Sequence, residues 1–280
     1  MKALLRRPHL RTVVVPVLLA AAAGCTEDLD PGQDEAAILG GNADPADNAM
    51  VGIANLDGAD VCSGVLLAPG LVLAAQRCVA AIASPGACAG ETFGAARPPD
   101  HFFITTRTPM TQMPGDYHEV TEIRTPPGGS GVCGRDLVLL RLISLVGAAE
   151  GTPITPFLDS DVTVGEHYAS IGYGGTADTG AGGGQRRRLD DLSVACLGAA
   201  CASASIGAGE WKGGASVCPG DQGGPALDGS NRVLSIASRG GAGCTDSIYT
   251  SLAPYKDWLV QETIRAAMLG GYPAPAWTGS

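Results

Sequence analysis

The sequence predicts an all-β protein with a single helix at its carboxy-terminal end. Three observations lead there. From about residue 38 onward, short apolar runs alternate with glycine- and proline-rich turn signals, the pattern of a barrel or sandwich. Hydrophobic residues make up 45% of the 280-residue chain, beside 41 glycines and 19 prolines, which supplies a sizeable core in a loop-rich setting. Helical spacing appears in residues 254–269, where Tyr255, Trp258, Leu259, Ile264 and Met268 fall near one face before Gly270-Gly271 stops the pattern.

The amino-terminal segment reads as an export signal over 1–24. Lys2, Arg6, Arg7 and Arg11 form a basic start, and the apolar run at 12–23 is too short to span a bilayer as a stable helix. Ala22-Ala-Gly-Cys25 has the form of a bacterial lipobox, with Cys25 as the lipidated residue; plain signal-peptidase cleavage nearby is the other reading. The protein is thus expected to be exported, either as an outer-membrane lipoprotein or secreted, touching a membrane only through a lipid at Cys25. Residues 25–37 are acidic, contain Pro31-Gly32, and read as a tether or pro-segment.

The clearest strands are at 61–65, 71–75, 102–106, 137–142, 167–172 and 233–237. The glycine-rich stretch 174–184 lacks the order of a phosphate loop and reads as a surface loop. Arg186, Arg187 and Arg188 read as a solvated strand start, with an anion-binding patch as the alternative. Residues 270–280, with Pro273, Pro275 and Gly279, read as a flexible tail. A net charge of −10 opposes nonspecific nucleic-acid binding, so that class is set aside. The chain has nine cysteines; without Cys25 an even eight remain, suited to four disulfides in an oxidising compartment. No Cys-x-x-Cys pair occurs, which counts against zinc, and no metal or cofactor is expected.

Five landmarks run in order along the chain. They are Ile38-Leu-Gly-Gly41; the block from Cys62-Ser-Gly to Ala74-Ala-Gln-Arg-Cys78; Gly134-Arg-Asp-Leu-Val-Leu-Leu; Cys218-Pro-Gly-Asp-Gln-Gly-Gly-Pro225; and Ser247-Ile-Tyr-Thr250. Together they resemble the trypsin-like serine protease family over residues 38–269. The resemblance implies two antiparallel six-stranded Greek-key barrels, with a boundary near 148–155, a cleft between them and a carboxy-terminal helix. It also implies disulfides Cys62–Cys78 and Cys218–Cys244. Cys196 and Cys201 are close enough for a local loop, which leaves Cys88 with Cys133.

In this alignment of motifs two catalytic positions hold the wrong residues. Arg77 stands where the family has histidine, and Gln222 where it has serine; the aspartate survives as Asp136. A glutamine amide is a very poor nucleophile, and a guanidinium cannot act as a base at working pH. No other histidine adjoins a cysteine in the required setting. The resemblance further implies an oxyanion loop at Gly220 and Gln222, a specificity pocket marked by Ser216, Ser238, Arg239 and Gly240, and an activation pair of Ile38 and Asp221 after cleavage behind Ala37. Ser216 removes the acidic residue that would attract Lys or Arg. Arg239 replaces an aromatic, and reads either as a surface charge or as a contact for an acidic peptide. Arg77 is expected to pair with Asp136 and plug the old centre; reaching out to solvent is the other reading. The function expected is an inactive protease homologue that binds a polypeptide through the cleft or its loops. An active endopeptidase with unusual residues and an envelope lipoprotein without specific ligand are the alternatives.

Overall fold

The structure is a computed structural model and describes residues 38–56, 61–84, 88, 90–203 and 205–279. The export signal, Cys25 and the acidic segment 25–37 lie outside the described residues. Among the described residues no helix is long and apolar enough to cross a membrane.

Among the described residues sixteen strands and one α-helix are formed. In chain order the strands are β1 (Asn42–Ala43), β2 (Met50–Asn55), β3 (Cys62–Ala68), β4 (Leu71–Ala74), β5 (Ala80–Ser84), β6 (Thr92–Ala96), β7 (Phe102–Thr105), β8 (His118–Arg124), β9 (Val138–Leu142), β10 (His167–Gly172), β11 (Arg187–Ser193), β12 (Cys196–Leu197), β13 (Glu210–Lys212), β14 (Pro225–Leu227), β15 (Val233–Arg239) and β16 (Ile248–Ser251), followed by α1 (Lys256–Gly270). The order β2-β3-β4-β9-β8-β7 closes into a barrel. Pro69-Gly70 turns β3 into β4, and Leu73 then lies opposite Val65 on one side and Leu139 on the other. Apolar residues at these registered positions fill the barrel interior and drive its closure.

The second module is a curled half-barrel sheet that takes the place of the second barrel implied by the resemblance. It is an eight-stranded sheet in the order β1-β11-β10-β14-β15-β16-β13-β12. Its edge strands, β1 and β12, are two residues each, short enough to offer little template for pairing with another chain. Trp211 stacks on Tyr249 at 4.3 Å between centroids, Tyr168 meets both edge-on, and Val162, Val194 and Leu234 complete this core.

Two local expectations are corrected. Arg186 is not a solvated residue: it is 1% exposed. Its guanidinium lies 3.3 Å from the Asp44 carboxylate, donates to the Asp44 carbonyl at 2.9 Å and contacts the Tyr173 hydroxyl at 3.2 Å. Arg187 is also buried, and only Arg188 keeps a substantial solvent face, paired with Asp47 and Asp190. The residues after α1 are not a loose tail either. Tyr272 and Trp277 pack against the barrel core because α1 has delivered the chain beside it, and a short 3₁₀ turn spans Ala276–Thr278.

Candidate functional site

The centre of the site lies where three loops converge. Arg77 sits on the single 3₁₀ turn Gln76–Cys78 that follows β4, Asp136 precedes β9, and Gln222 lies in the turn before β14. Disulfides Cys62–Cys78 and Cys218–Cys244 fix the first and third of these loops; Cys88–Cys133 and Cys196–Cys201 complete four bridges. All four pairings match those read from the sequence.

The expected ion pair is formed. The Arg77 Nε donates to Asp136 Oδ2, and the Arg77 backbone N–H donates to Oδ1 at 3.0 Å. Asp136 is completely buried. Its Oδ2 also accepts the Ser238 hydroxyl at 2.7 Å, and that hydroxyl accepts Arg77 Nη2 at 3.1 Å. A carboxylate removed from water is tolerable only when its lone pairs are matched in this way. The reading in which Arg77 reaches out to solvent does not hold, since its side chain is 20% exposed and committed to Asp136 and Ser238.

Gln222 turns back onto its own loop. Its side-chain carbonyl accepts the Gly220 N–H at 2.9 Å, and its amide donates to the Cys218 carbonyl at 3.3 Å. The Gly220 N–H therefore has an occupant and is not presented to an incoming carbonyl. Gly220 has φ +101°, a conformation that favours glycine.

Asp221 anchors the same loop from behind. It is 1% exposed and accepts backbone N–H groups from Gly174 at 2.7 Å, Cys218 at 2.9 Å and Ile38. Ile38 is fully buried and donates as an internal peptide N–H. A Cβ on Gly174 would stand 2.5 Å from the Asp221 Cγ, so glycine is required for this approach. Burial pushes the Asp221 carboxyl up to about 7, against the pull of the three N–H donors. A carboxyl raised above its unfolded pKa of about 4 binds its proton more tightly in the folded state. Its stabilisation is complete below that pH and is lost as pH rises toward 7. The melting temperature of the chain is thus expected to fall between about pH 4.5 and pH 7 relative to an Asp221→Asn variant. Thermal unfolding of both proteins across that range checks it; parallel profiles would reject it.

Of the expected pocket residues Gly240 borders a small cavity, whereas Ser216, Ser238 and Arg239 are engaged elsewhere. Ser216 is 0% exposed and bonded to Ser247 and Tyr249, so it faces the core. A smaller cavity of about 230 Å³ lies beside it, lined by Pro219, Gln222, Gly240 and Asp178. Arg239 is no simple surface charge. It grips buried Glu210 through two bonds of 2.7 and 2.9 Å and donates to the Ser205 carbonyl. Its Nη2 also lies 3.9 Å from both sulfurs of Cys88–Cys133. Neither Glu210 nor Asp178 belongs to a motif, so sequence spacing gave no signal for them. On the other side of Gln222 opens a cavity of about 700 Å³, bordered by Arg77, Arg97, Phe102 and Gly220. Among the described residues one cluster, Cys88, Cys133 and Glu210, brings three metal-type donors together, but the two sulfurs are spent in a disulfide.

The arrangement is a two-module cleft in which the Arg77–Asp136 ion pair and the Gln222 amide stand together. The Trypsin family model matches residues 38–259. A relative described as a trypsin, from Saccharopolyspora erythraea, is 26% identical over 225 residues, covering 76% of this chain and 91% of that protein. With the match spanning both modules and all three loops of the site, the chain belongs to the trypsin-like serine protease family.

Proposed function

We propose that this chain is a proteolytically silent member of its family that holds a polypeptide in the former catalytic cleft. The observation that carries this reading is the Arg77–Asp136 ion pair. A guanidinium locked on the buried aspartate leaves no proton acceptor at the position of the base. Gln222 adds to it by offering no nucleophile and by occupying the Gly220 N–H. The 700 Å³ cavity beside them supports retention of a binding role. Four disulfides favour an oxidising, extracytoplasmic location, and export through the amino-terminal signal, with Cys25 as the lipid site, belongs to the same proposal.

The test is hydrolysis of a diverse peptide library by the purified protein, with a Gln222→Ala variant run beside it. No turnover above background and no labelling by a serine-directed phosphonate are expected. Turnover in the parent that the variant lacks would overturn the reading and favour an active endopeptidase with unusual residues.

A further inference from the structure

A serine, a histidine and a carboxylate stand together on the first barrel, and none of the three lines the cavities beside Arg77 and Gln222. His118 opens β8, and its Nδ1 lies 2.8 Å from the Ser144 Oγ. Its Nε2 lies 3.4 Å from Glu150 Oε2. Ser144 follows the end of β9 and Glu150 sits in the next turn, so the three meet through the fold and not through a motif.

Backbone bonds hold each part in place. The Ile143 N–H donates to the Glu119 carbonyl at 2.9 Å and the Val146 N–H to the Pro69 carbonyl at 2.8 Å, which pins the segment carrying Ser144 on both sides. The Glu150 N–H bonds the Gly147 carbonyl at 2.8 Å, while the Glu150 carboxylate accepts the Gly147 N–H at 2.9 Å. The carboxylate is therefore aimed before any ligand arrives. The His118 side chain is 14% exposed, whereas Ser144 is exposed, and His118 is the one partner of its hydroxyl among the described residues.

A carboxylate facing Nε2 favours the tautomer that carries its proton there, which leaves the Nδ1 lone pair toward the Ser144 O–H. Nucleophile, base and orienting group then stand in the order that nucleophilic catalysis needs. The N–H groups of Ser144 and Leu145 donate to no acceptor among the described residues, so both are left for a developing oxyanion. The substrate class follows from the surroundings. Strands β8 and β9 lie inside a closed barrel and offer no free edge to an extended peptide. A small ester needs no such seat. Ile143 and Leu145, 67% and 43% exposed, flank Ser144 with apolar surface for a short acyl chain.

We propose that Ser144, His118 and Glu150 form a second catalytic site, separate from the former cleft, that hydrolyses esters of short apolar carboxylic acids. Ser144 Oγ attacks the carbonyl carbon while its proton passes to His118 Nδ1. The ester C–O bond breaks, and the leaving oxygen takes that proton and departs as the alcohol. Water then attacks the acyl-Ser144 carbonyl and gives a proton to Nδ1. The bond to Oγ breaks, Nδ1 returns the proton to Oγ, and the carboxylic acid is released. Glu150 faces the Nε2–H throughout and stabilises the imidazolium. The site does not disturb the proteolytic silence of the cleft, and a phosphonate carried on a peptide finds no strand edge at Ser144.

The test is hydrolysis of p-nitrophenyl butyrate by the full chain, with Ser144→Ala, His118→Gln and Glu150→Gln beside it. Mass spectrometry of the acid-quenched parent locates the acyl group. The parent is expected to show kcat/KM at least about tenfold above Ser144→Ala and His118→Gln, and Glu150→Gln a roughly three- to tenfold lower kcat at unchanged KM. A butyryl group is expected on Ser144 of the parent, a readout that needs no variant to fold. Thermal unfolding of Ser144→Ala at the parent's melting temperature would tie its loss to chemistry. A parent no faster than Ser144→Ala would overturn the proposal. A butyryl group on a different residue would overturn it too, as would loss in His118→Gln alone, which would make the histidine act without the serine.

Discussion

Replacing Arg186 by methionine is expected to lower stability by about 3–5 kcal/mol, because it strands a charged partner inside the protein. Asp44 is 6% exposed, and its Oδ2 has no hydrogen-bond partner apart from the contact of the Arg186 guanidinium. The same guanidinium reaches the Met50 and Thr106 carbonyls of the barrel while its own backbone leads into β11. It therefore fastens the two modules to each other as well as neutralising a charge. In a chain of this size the loss corresponds to a fall in melting temperature of roughly 10 °C. Adding Asp44→Asn removes the stranded charge while keeping an oxygen for the Ala46 and Asp47 N–H groups. The double variant is expected to recover at least half of the loss. Chemical denaturation of the parent, both single variants and the double variant measures the coupling. Additive effects would mean that Arg186 acts through packing alone.

The combination Arg77→His with Gln222→Ser is expected to produce hydrolysis of an activated ester at least about 100-fold faster than either single change. The supporting parts are in place. Asp136 already accepts the backbone N–H of residue 77 and the Ser238 hydroxyl, so a histidine there would find an aligned and buried carboxylate. Removing the glutamine side chain releases the Gly220 N–H for an oxyanion. Each change alone fails for a separate reason. A serine facing Arg77 has no base, and a histidine facing Gln222 has no hydroxyl to activate. Comparison of kcat/KM for the four proteins checks this. If the double variant is no faster than the singles, restoring these two residues is not enough to build a working triad here.

The features that were legible in the sequence are local ones. Strands β3, β4, β9, β10 and β15 were readable because β-rich apolar runs end at glycine or proline turns, and the substituted positions 77 and 222 because flanking cysteines and glycines mark them. Only the start of strand β11 was readable, at Arg186–Arg188: its RRLDDLS pattern is mostly charged, and it takes its place by pairing with β10 and β1. The burial of Arg186 and Arg239 was hidden for a related reason. Each is rescued by a carboxylate distant in sequence, Asp44 and Glu210 respectively, and neither carboxylate lies in a pattern that announces a partner. Ser216 was misplaced because its position in the motif says nothing of the hydrogen bonds its hydroxyl shares with those of Ser247 and Tyr249, which turn it inward. The open second sheet follows from pairings β1–β11 and β12–β13 at its margins, which extend it rather than close it.

The way α1 and the residues after it are used has a consequence for how the protein comes into being. Leu259 and Ala266 share one core with Leu66, Leu67 and Val72, and Tyr272 and Trp277 pack against that core. Arg265 binds Glu122 at 2.6 Å, and Glu262 binds Arg124 at 2.8 Å, both on β8. The first barrel is encoded by residues 50–142, yet part of its apolar core is covered by α1 and the residues after it, which are synthesised much later. A barrel that forms during synthesis is thus expected to keep that part of its core uncovered until those residues emerge, and a chain truncated before residue 259 to leave it bare. Completion of the earlier-made barrel therefore waits on a segment made much later.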